Sequence, residues 1–230
     1  MSKTAILVDG GFYRRKFEKG GKHTPEEAAD ALIRYCRCHL KEHAREHDLY
    51  RIFYYDCRPC GKKIFHPLHN RTIDFSKSDQ YKWMTQFLQE LTKKRKVALR
   101  IGELDEGSAV YVLTSQATKD LVTGKRDRNT LTDEDFVTSI KQKGVDMKIG
   151  MDIASLSYKK QVDQIVLIAG DADFVPAAKL ARREGIDFVL DPLGHPIKPD
   201  LFEHIDGKRS CPDPYAAKKF EAKKTPVAAK

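Results

Sequence analysis

The sequence predicts an α/β fold with a mainly parallel central sheet and covering helices. Three observations carry this. Ile165–Ala169 is an apolar run between two helical patterns, and a second strand-like run, Phe188–Leu190, follows the second pattern. Helix, strand, turn, helix and strand in that order is the grammar of a parallel sheet. Ala5–Val8 is another short apolar run with polar residues on both sides, as a buried central strand has. Finally, both runs end in acids: Asp9 after the first, Asp171 and Asp173 after the second. Open parallel sheets bind ligands outside the carboxyl ends of their strands.

In chain order, Thr24-Pro25-Glu26-Glu27 reads as a helix start, with a capping threonine, proline in the first turn and acids near the positive end of the dipole. The helix is expected to run to about Glu46, with Ala28, Leu32, Tyr35 and Leu40 facing inward. Tyr50–Tyr55 is the next strand. Cys57–Ser76 reads as irregular, broken by Pro59, Gly61 and Pro67. Lys77–Lys94 is helical, with Trp83, Phe87, Leu88 and Leu91 on one side. Val97–Ile101 and Val110–Leu113 read as strands, either a hairpin or a sheet edge. Ser115–Leu131 is a long polar loop, a kind that is usually functional. Thr132-Asp133-Glu134-Asp135 looks like a capping box for a short helix to Lys141. Val145–Lys160 is helical, with Val145, Ile149, Ile153 and Leu156 inward. Asp191-Pro192 begins a turn, and a short helix near Asp200–His204 ends the fold. One domain, residues 1–207, is expected, with a basic and disordered tail over residues 208–230.

The 230 residues suffice for one good core. The formal charge is +9, and the tail, with seven basic and two acidic residues, holds more than half of it. The body is therefore not basic all over, and any anionic partner must meet local patches. No apolar run reaches membrane-span length and the N-terminus lacks a signal-peptide layout, so a cytoplasmic protein without a membrane partner is expected. Five cysteines at irregular spacing fit a reducing compartment. Cys57-x-x-Cys60 precedes His66 and His69, but the gap is too short for a zinc finger, so the thiols read as ordinary buried or loop groups.

A helix crossing between parallel strands starts at the edge where those strands end. This brings Asp146, in the first turn of Val145–Lys160, toward Asp9, Asp171 and Asp173. Asp152 lies roughly 9 Å further along the helix and borders its buried face. The two are about 120° apart around the axis, so they cannot face one site equally; a helix starting only after Gly150 would favour Asp152. Taken singly, each acid also has a structural reading: Asp9 as a turn residue, Asp146 as a dipole partner, Asp173 as a helix cap. Together at one sheet edge, without a matching cation, they point to a hard divalent ion, Mg²⁺ or Mn²⁺. Such ions generate a nucleophile from water and stabilise the leaving oxygen in phosphodiester cleavage. Gly10 and Gly11 would let a phosphate approach closely. Arg14, Arg15, Lys125, Arg126 and Arg128 are candidate contacts to the substrate backbone, with Tyr13 available for stacking.

At Leu7-Val8-Asp9-Gly10, Val145-Asp146, Asp152 and Gly170-Asp171-x-Asp173-Phe174, the chain resembles the NYN domain, a branch of the PIN-like nuclease superfamily. The resemblance extends loosely from Ala5 to about Asp206. It implies a Rossmann-like three-layer α/β/α sandwich and metal-dependent endoribonuclease activity. It also implies that Asp9, Asp152, Asp171 and Asp173 bind the metal while Asp146 assists. Where many such domains have an asparagine shortly after the first acid, this chain has Gly10-Gly11-Phe12. Two other readings compete: an RNA-binding module without catalysis, and an acid-pocket phosphoryl-transfer enzyme. The second usually has another aspartate two residues after the first, where Gly11 stands here. RNA is the expected partner, and homo-oligomerisation is left open by the sequence.

Overall fold

The computed structural model of the chain describes residues 2–18, 22–42 and 45–216. In chain order the elements are β1 (Lys3–Asp9), α1 (Gly10–Phe17), α2 (Pro25–Cys38), β2 (Lys41–Glu42), β3 (Arg45–Glu46) and β4 (Asp48–Cys57). Then come β5 (Lys63–His66), β6 (Arg71–Asp74), α3 (Asp79–Thr92), β7 (Val97–Leu113), α4 (Ser115–Val122) and β8 (Phe136–Lys143). The remainder are α5 (Val145–Tyr158), β9 (Gln164–Ile168), α6 (Val175–Arg183), β10 (Asp187–Asp191), α7 (Pro199–Phe202) and β11 (Gly207–Lys208). A seven-stranded sheet runs in the order β11-β10-β9-β1-β4-β7-β8. Every neighbouring pair is parallel except β7 with β8.

Because side chains alternate along a strand, the central strands bury both faces. Ala5, Leu7, Phe53, Ile165 and Leu167 face one core, closed by Ile149, Ile153 and Leu156 of α5 and by Ala178 and Ala181 of α6. Ile6, Val8, Ile52, Tyr54 and Val166 face the other, closed by α1, α2 and α3 through Tyr13, Leu32, Phe87 and Leu91. Two helical layers over a mainly parallel sheet make the three-layer α/β/α sandwich that the sequence predicts.

The structure departs from the sequence reading at several elements. Helix α2 starts as expected, with Thr24 Oγ1 and Glu27 satisfying each other's backbone N–H groups, but it ends at Cys38 rather than near Glu46. The His39 Nε2 is held 2.9 Å from the buried Asp191 carboxylate, and the chain turns there into the β2–β3 hairpin. The irregular stretch after Cys57 contains the β5–β6 hairpin. The two strands expected between Val97 and Leu113 are one 17-residue strand, with a register break between Asp105 and Val110. The polar loop after it contains α4. The helix expected after Thr132 is a single 3₁₀ turn, Asp133–Asp135, followed by β8.

The distal part of β7 continues past the sheet's carboxyl edge and pairs with β8; Ala109 there packs on Ile64 of the β5–β6 hairpin. This forms a β-rich arm beside the edge. The C-terminal boundary also moves. Lys208 lies in β11, Ser210 Oγ donates to Asp191 Oδ1 at 2.6 Å, and Tyr215 is buried, so residues 208–216 belong to the domain. The rest of the expected disordered tail, 217–230, lies outside the described residues.

Candidate active site at the carboxyl edge

The register of the sheet sets the site. Val8 on β1 pairs with Ile168 on β9, so Asp9 and the Gly170-Asp171 turn leave adjacent strands at the same edge. Asp9 ends β1 and caps α1, its Oδ1 accepting from the Phe12 N–H at 3.0 Å. Asp171 Oδ1 accepts from the Asp173 N–H at 3.2 Å, and the 3₁₀ turn Ala172–Phe174 holds both acids exposed above β9. Helix α5 begins at Val145, so Asp146 stands in its first turn at that edge.

Two glycines make this junction fit. A Cβ on Gly10 would lie 2.4 Å from the Tyr54 ring and 2.6 Å from the Asp56 carboxylate, and one on Gly170 would lie 2.5 Å from the Phe12 ring. Gly10 is thus required by packing beneath it rather than by a ligand above it.

The electrostatics match a shared site. Burial pushes the Asp9 carboxyl above its usual range; the Phe12 N–H and Arg15 oppose this, while Asp146 and Asp56 add to it. Asp146 is also raised, by burial first and then by the charges of Asp171 and Asp173. Among the described residues, none of Asp9, Asp146, Asp171 and Asp173 makes a salt bridge to a basic side chain. These four carboxylates, of which only Asp9 has a cation near it in Arg15, offer only hard oxygen donors, which fits Mg²⁺ or Mn²⁺. Their oxygens are spread more widely than in a closed cage: three or more of them do not lie within 4.8 Å of one another.

Asp152 is not brought to this group. Its Oδ2 accepts from the Tyr55 hydroxyl and from the Arg100 Nε, each at 2.7 Å. The helix starts at Val145 rather than after Gly150, which leaves Asp152 below the edge, facing Arg100 on β7. A carboxylate neutralised by a guanidinium is a poor hard-metal ligand, which disfavours the metal role expected for Asp152.

The expected substrate contacts divide. Arg15 is exposed beside Asp9, with Gly11 half-buried next to it, and Lys125 and Arg128 are exposed on the arm. Tyr13 is fully buried among Phe17 and Tyr35 and cannot stack on a base. Arg14 makes a two-pronged pair with Asp56 at 2.9 and 3.0 Å. Arg126 grips Asp135 at 2.7 and 2.8 Å and shapes its own loop. All three side chains are engaged within the chain itself.

Asp56 is the acid that the sequence reading passed over. It is 2% exposed and also accepts from the Tyr54 hydroxyl and the Cys57 N–H, at 2.9 and 2.8 Å. The signal was available, since Asp56 ends an apolar strand just as Asp9 does. With Arg14, Arg58, Tyr81, Trp83 and Gln142 it lines a cavity of about 190 Å³ that runs toward the arm.

A family model for the NYN domain matches residues 70–194. That span includes Asp146, Asp171 and Asp173 and begins after Asp9, whose place in the group rests on the β1–β9 register. No curated protein matches the chain. A crystal structure of a protein of unknown function from Vibrio parahaemolyticus RIMD 2210633 is similar to 93% of this chain and 94% of its own, at 13% identity and a TM-score of 0.45. Among the described residues, no helix is long and apolar enough to cross a membrane.

Proposed function

Because the chain belongs to the NYN domain family of PIN-like nucleases, we propose that it is a metal-dependent endoribonuclease acting on single-stranded or structured RNA. The observation that carries this reading is the convergence of Asp9, Asp146, Asp171 and Asp173 from three elements onto one sheet edge without an ion pair among the described residues. PIN-like nucleases generally use divalent metals. Here Asp9, Asp171 and Asp173 would hold Mg²⁺ or Mn²⁺, which supplies an activated water and neutralises charge on the scissile phosphate.

The other roles belong to the chain itself. Asp146 sits in the first turn of α5 at the same edge, its carboxyl raised above the usual range by burial and by Asp171 and Asp173, and would accept a proton from the attacking water. Arg15, exposed beside Asp9, takes the phosphate flanking the cleaved bond. Lys125 and Arg128 guide the strand along the arm by backbone charge, which carries no sequence information.

Incubation of the purified protein with end-labelled single-stranded RNA tests this. Cleavage is expected with Mn²⁺ or Mg²⁺ and none with EDTA. Asp171→Asn and Asp9→Asn are each expected to reduce cleavage at least a hundredfold with the fold intact. Equal cleavage by wild type and both variants would place the activity elsewhere.

A further inference from the structure

A second cluster of ligand-type side chains lies on the arm, independent of the acids at the sheet edge. Strand β5 ends at His66, the turn after it carries His69, and the 3₁₀ turn before β8 brings Asp133 against them. The His69 Nε2 is 2.6 Å from Asp133 Oδ1, the His66 Nε2 is 3.9 Å from the same oxygen, and the two ring centroids are 4.6 Å apart. One ligand atom from each of the three residues lies within 4.8 Å of the others, and among the described residues this trio alone does so.

The second observation concerns His66 itself. Its side chain is 5% exposed, wedged against the rings of Tyr111 and Phe136. Its Nδ1 is buried without a partner, and at 3.9 Å its Nε2 is too far from Asp133 for a hydrogen bond. Neither nitrogen is hydrogen-bonded among the described residues; the buried orphan is Nδ1, and the Nε2 on the Asp133 side is open to an incoming ion.

We propose that His66, His69 and Asp133 form a binding site for a transition metal of the zinc class. Two imidazoles and one carboxylate suit Zn²⁺, in contrast to the all-oxygen set at the sheet edge. Bonds of about 2.0–2.2 Å in a tetrahedron separate ligand atoms by roughly 3.3–3.5 Å. The two separations from Asp133, 2.6 and 3.9 Å, bracket that value. The proton between His69 and Asp133 leaves when the ion enters. The fourth position opens toward solvent, where the side chains of Asp133 and His69 are 66% and 35% exposed. The thiols take no part: Cys57 Sγ donates to the Glu103 carbonyl, and Cys60 packs on Ile64 and Ala109. The ion pins the β5–β6 turn to the start of β8, and so fixes the arm that lines the approach to the acids.

Equilibrium dialysis of the full chain against Zn²⁺, with metal analysis, tests the site. One equivalent is expected to bind in wild type and in Asp171→Asn. Affinity is expected to fall at least tenfold in His69→Gln and in Asp133→Asn, whose exposed positions leave the fold intact by circular dichroism. Co²⁺ in place of Zn²⁺ should give the visible absorption of a tetrahedral site, lost in both variants. Equal zinc binding by wild type and His69→Gln overturns the proposal. So does loss of zinc in Asp171→Asn, which would place the ion at the sheet edge. Neither outcome bears on RNA cleavage, which is read separately.

Discussion

Asp146 carries a charge that its surroundings resist. Its carboxyl is raised by burial and by Asp171 and Asp173, so the folded state holds a proton more tightly than the unfolded chain does. Between the unfolded value, about 3.9, and the raised folded value, the native state binds more protons than the unfolded state. Stability without metal therefore falls as pH rises through that window. Asp146→Asn removes the penalty. The variant is expected to exceed wild type in EDTA by a few tenths of a kcal/mol at neutral pH, a small gain because the side chain is largely solvent-screened. The advantage should shrink as pH falls toward 4, and denaturant unfolding at several pH values measures it; a wild type more stable than the variant at pH 7 would contradict the mutual repulsion. Residue types and strand ends made this part of the site legible in the sequence. The fate of Asp152 was not legible, because Arg100 lies 52 residues away and only the fold brings it to 2.7 Å. Tyr13 failed for a similar reason: a basic neighbourhood suggested a surface, but α1 turns that ring into the core.

At the scale of elements, local signals marked where helices start better than where they end. The cap expected at Thr24 is present, whereas the capping box at Thr132 begins only one 3₁₀ turn. There Asp135 accepts from the Thr132 N–H and from Arg126, and the β-branched Val137 and Thr138 then pair with β7. Strand pairing across the sequence outweighed a local start signal. The same holds for residues 208–216, whose polar composition hid long-range contacts. Arg209 donates to the carbonyls of Cys38, His39 and Lys41, the Cys211 N–H donates to the Tyr35 hydroxyl at 3.2 Å, and Tyr215 stacks on His23 at 3.6 Å while its hydroxyl reaches Glu18. Ending the chain after Ala216 keeps all of these contacts and is therefore expected to leave the melting temperature within about 1 °C. It removes five lysines and one glutamate, and so should weaken RNA binding and flatten its salt dependence. Ending it after Asp206 should lower the melting temperature by several degrees. Equal stability of the two truncations would show that these contacts contribute nothing.

For the whole molecule, one sheet edge gathers acids at its centre and a β-rich arm at its side. Parallel strands with helices returning across them put Asp9, Asp146 and Asp171 together although they are far apart in the chain. Such an edge is least stable without cations, and an ion that binds only the folded state stabilises it by RT ln(1 + [L]/Kd). At a hundredfold excess over Kd this is about 2.7 kcal/mol, or roughly 5–10 °C in melting temperature for a domain of this size. Mg²⁺ is the informative ion, because it prefers oxygen and discriminates against the imidazoles of the arm. Wild type and His69→Gln are expected to gain the full shift over EDTA, whereas Asp171→Asn gains less than half of it. Zn²⁺ at one equivalent should show the reverse dependence. Melting curves for the three proteins under three metal conditions therefore separate the edge from the arm. A Mg²⁺ shift in Asp171→Asn as large as in wild type would mean that the carboxylates do not share an ion, and the nuclease reading would lose its physical basis.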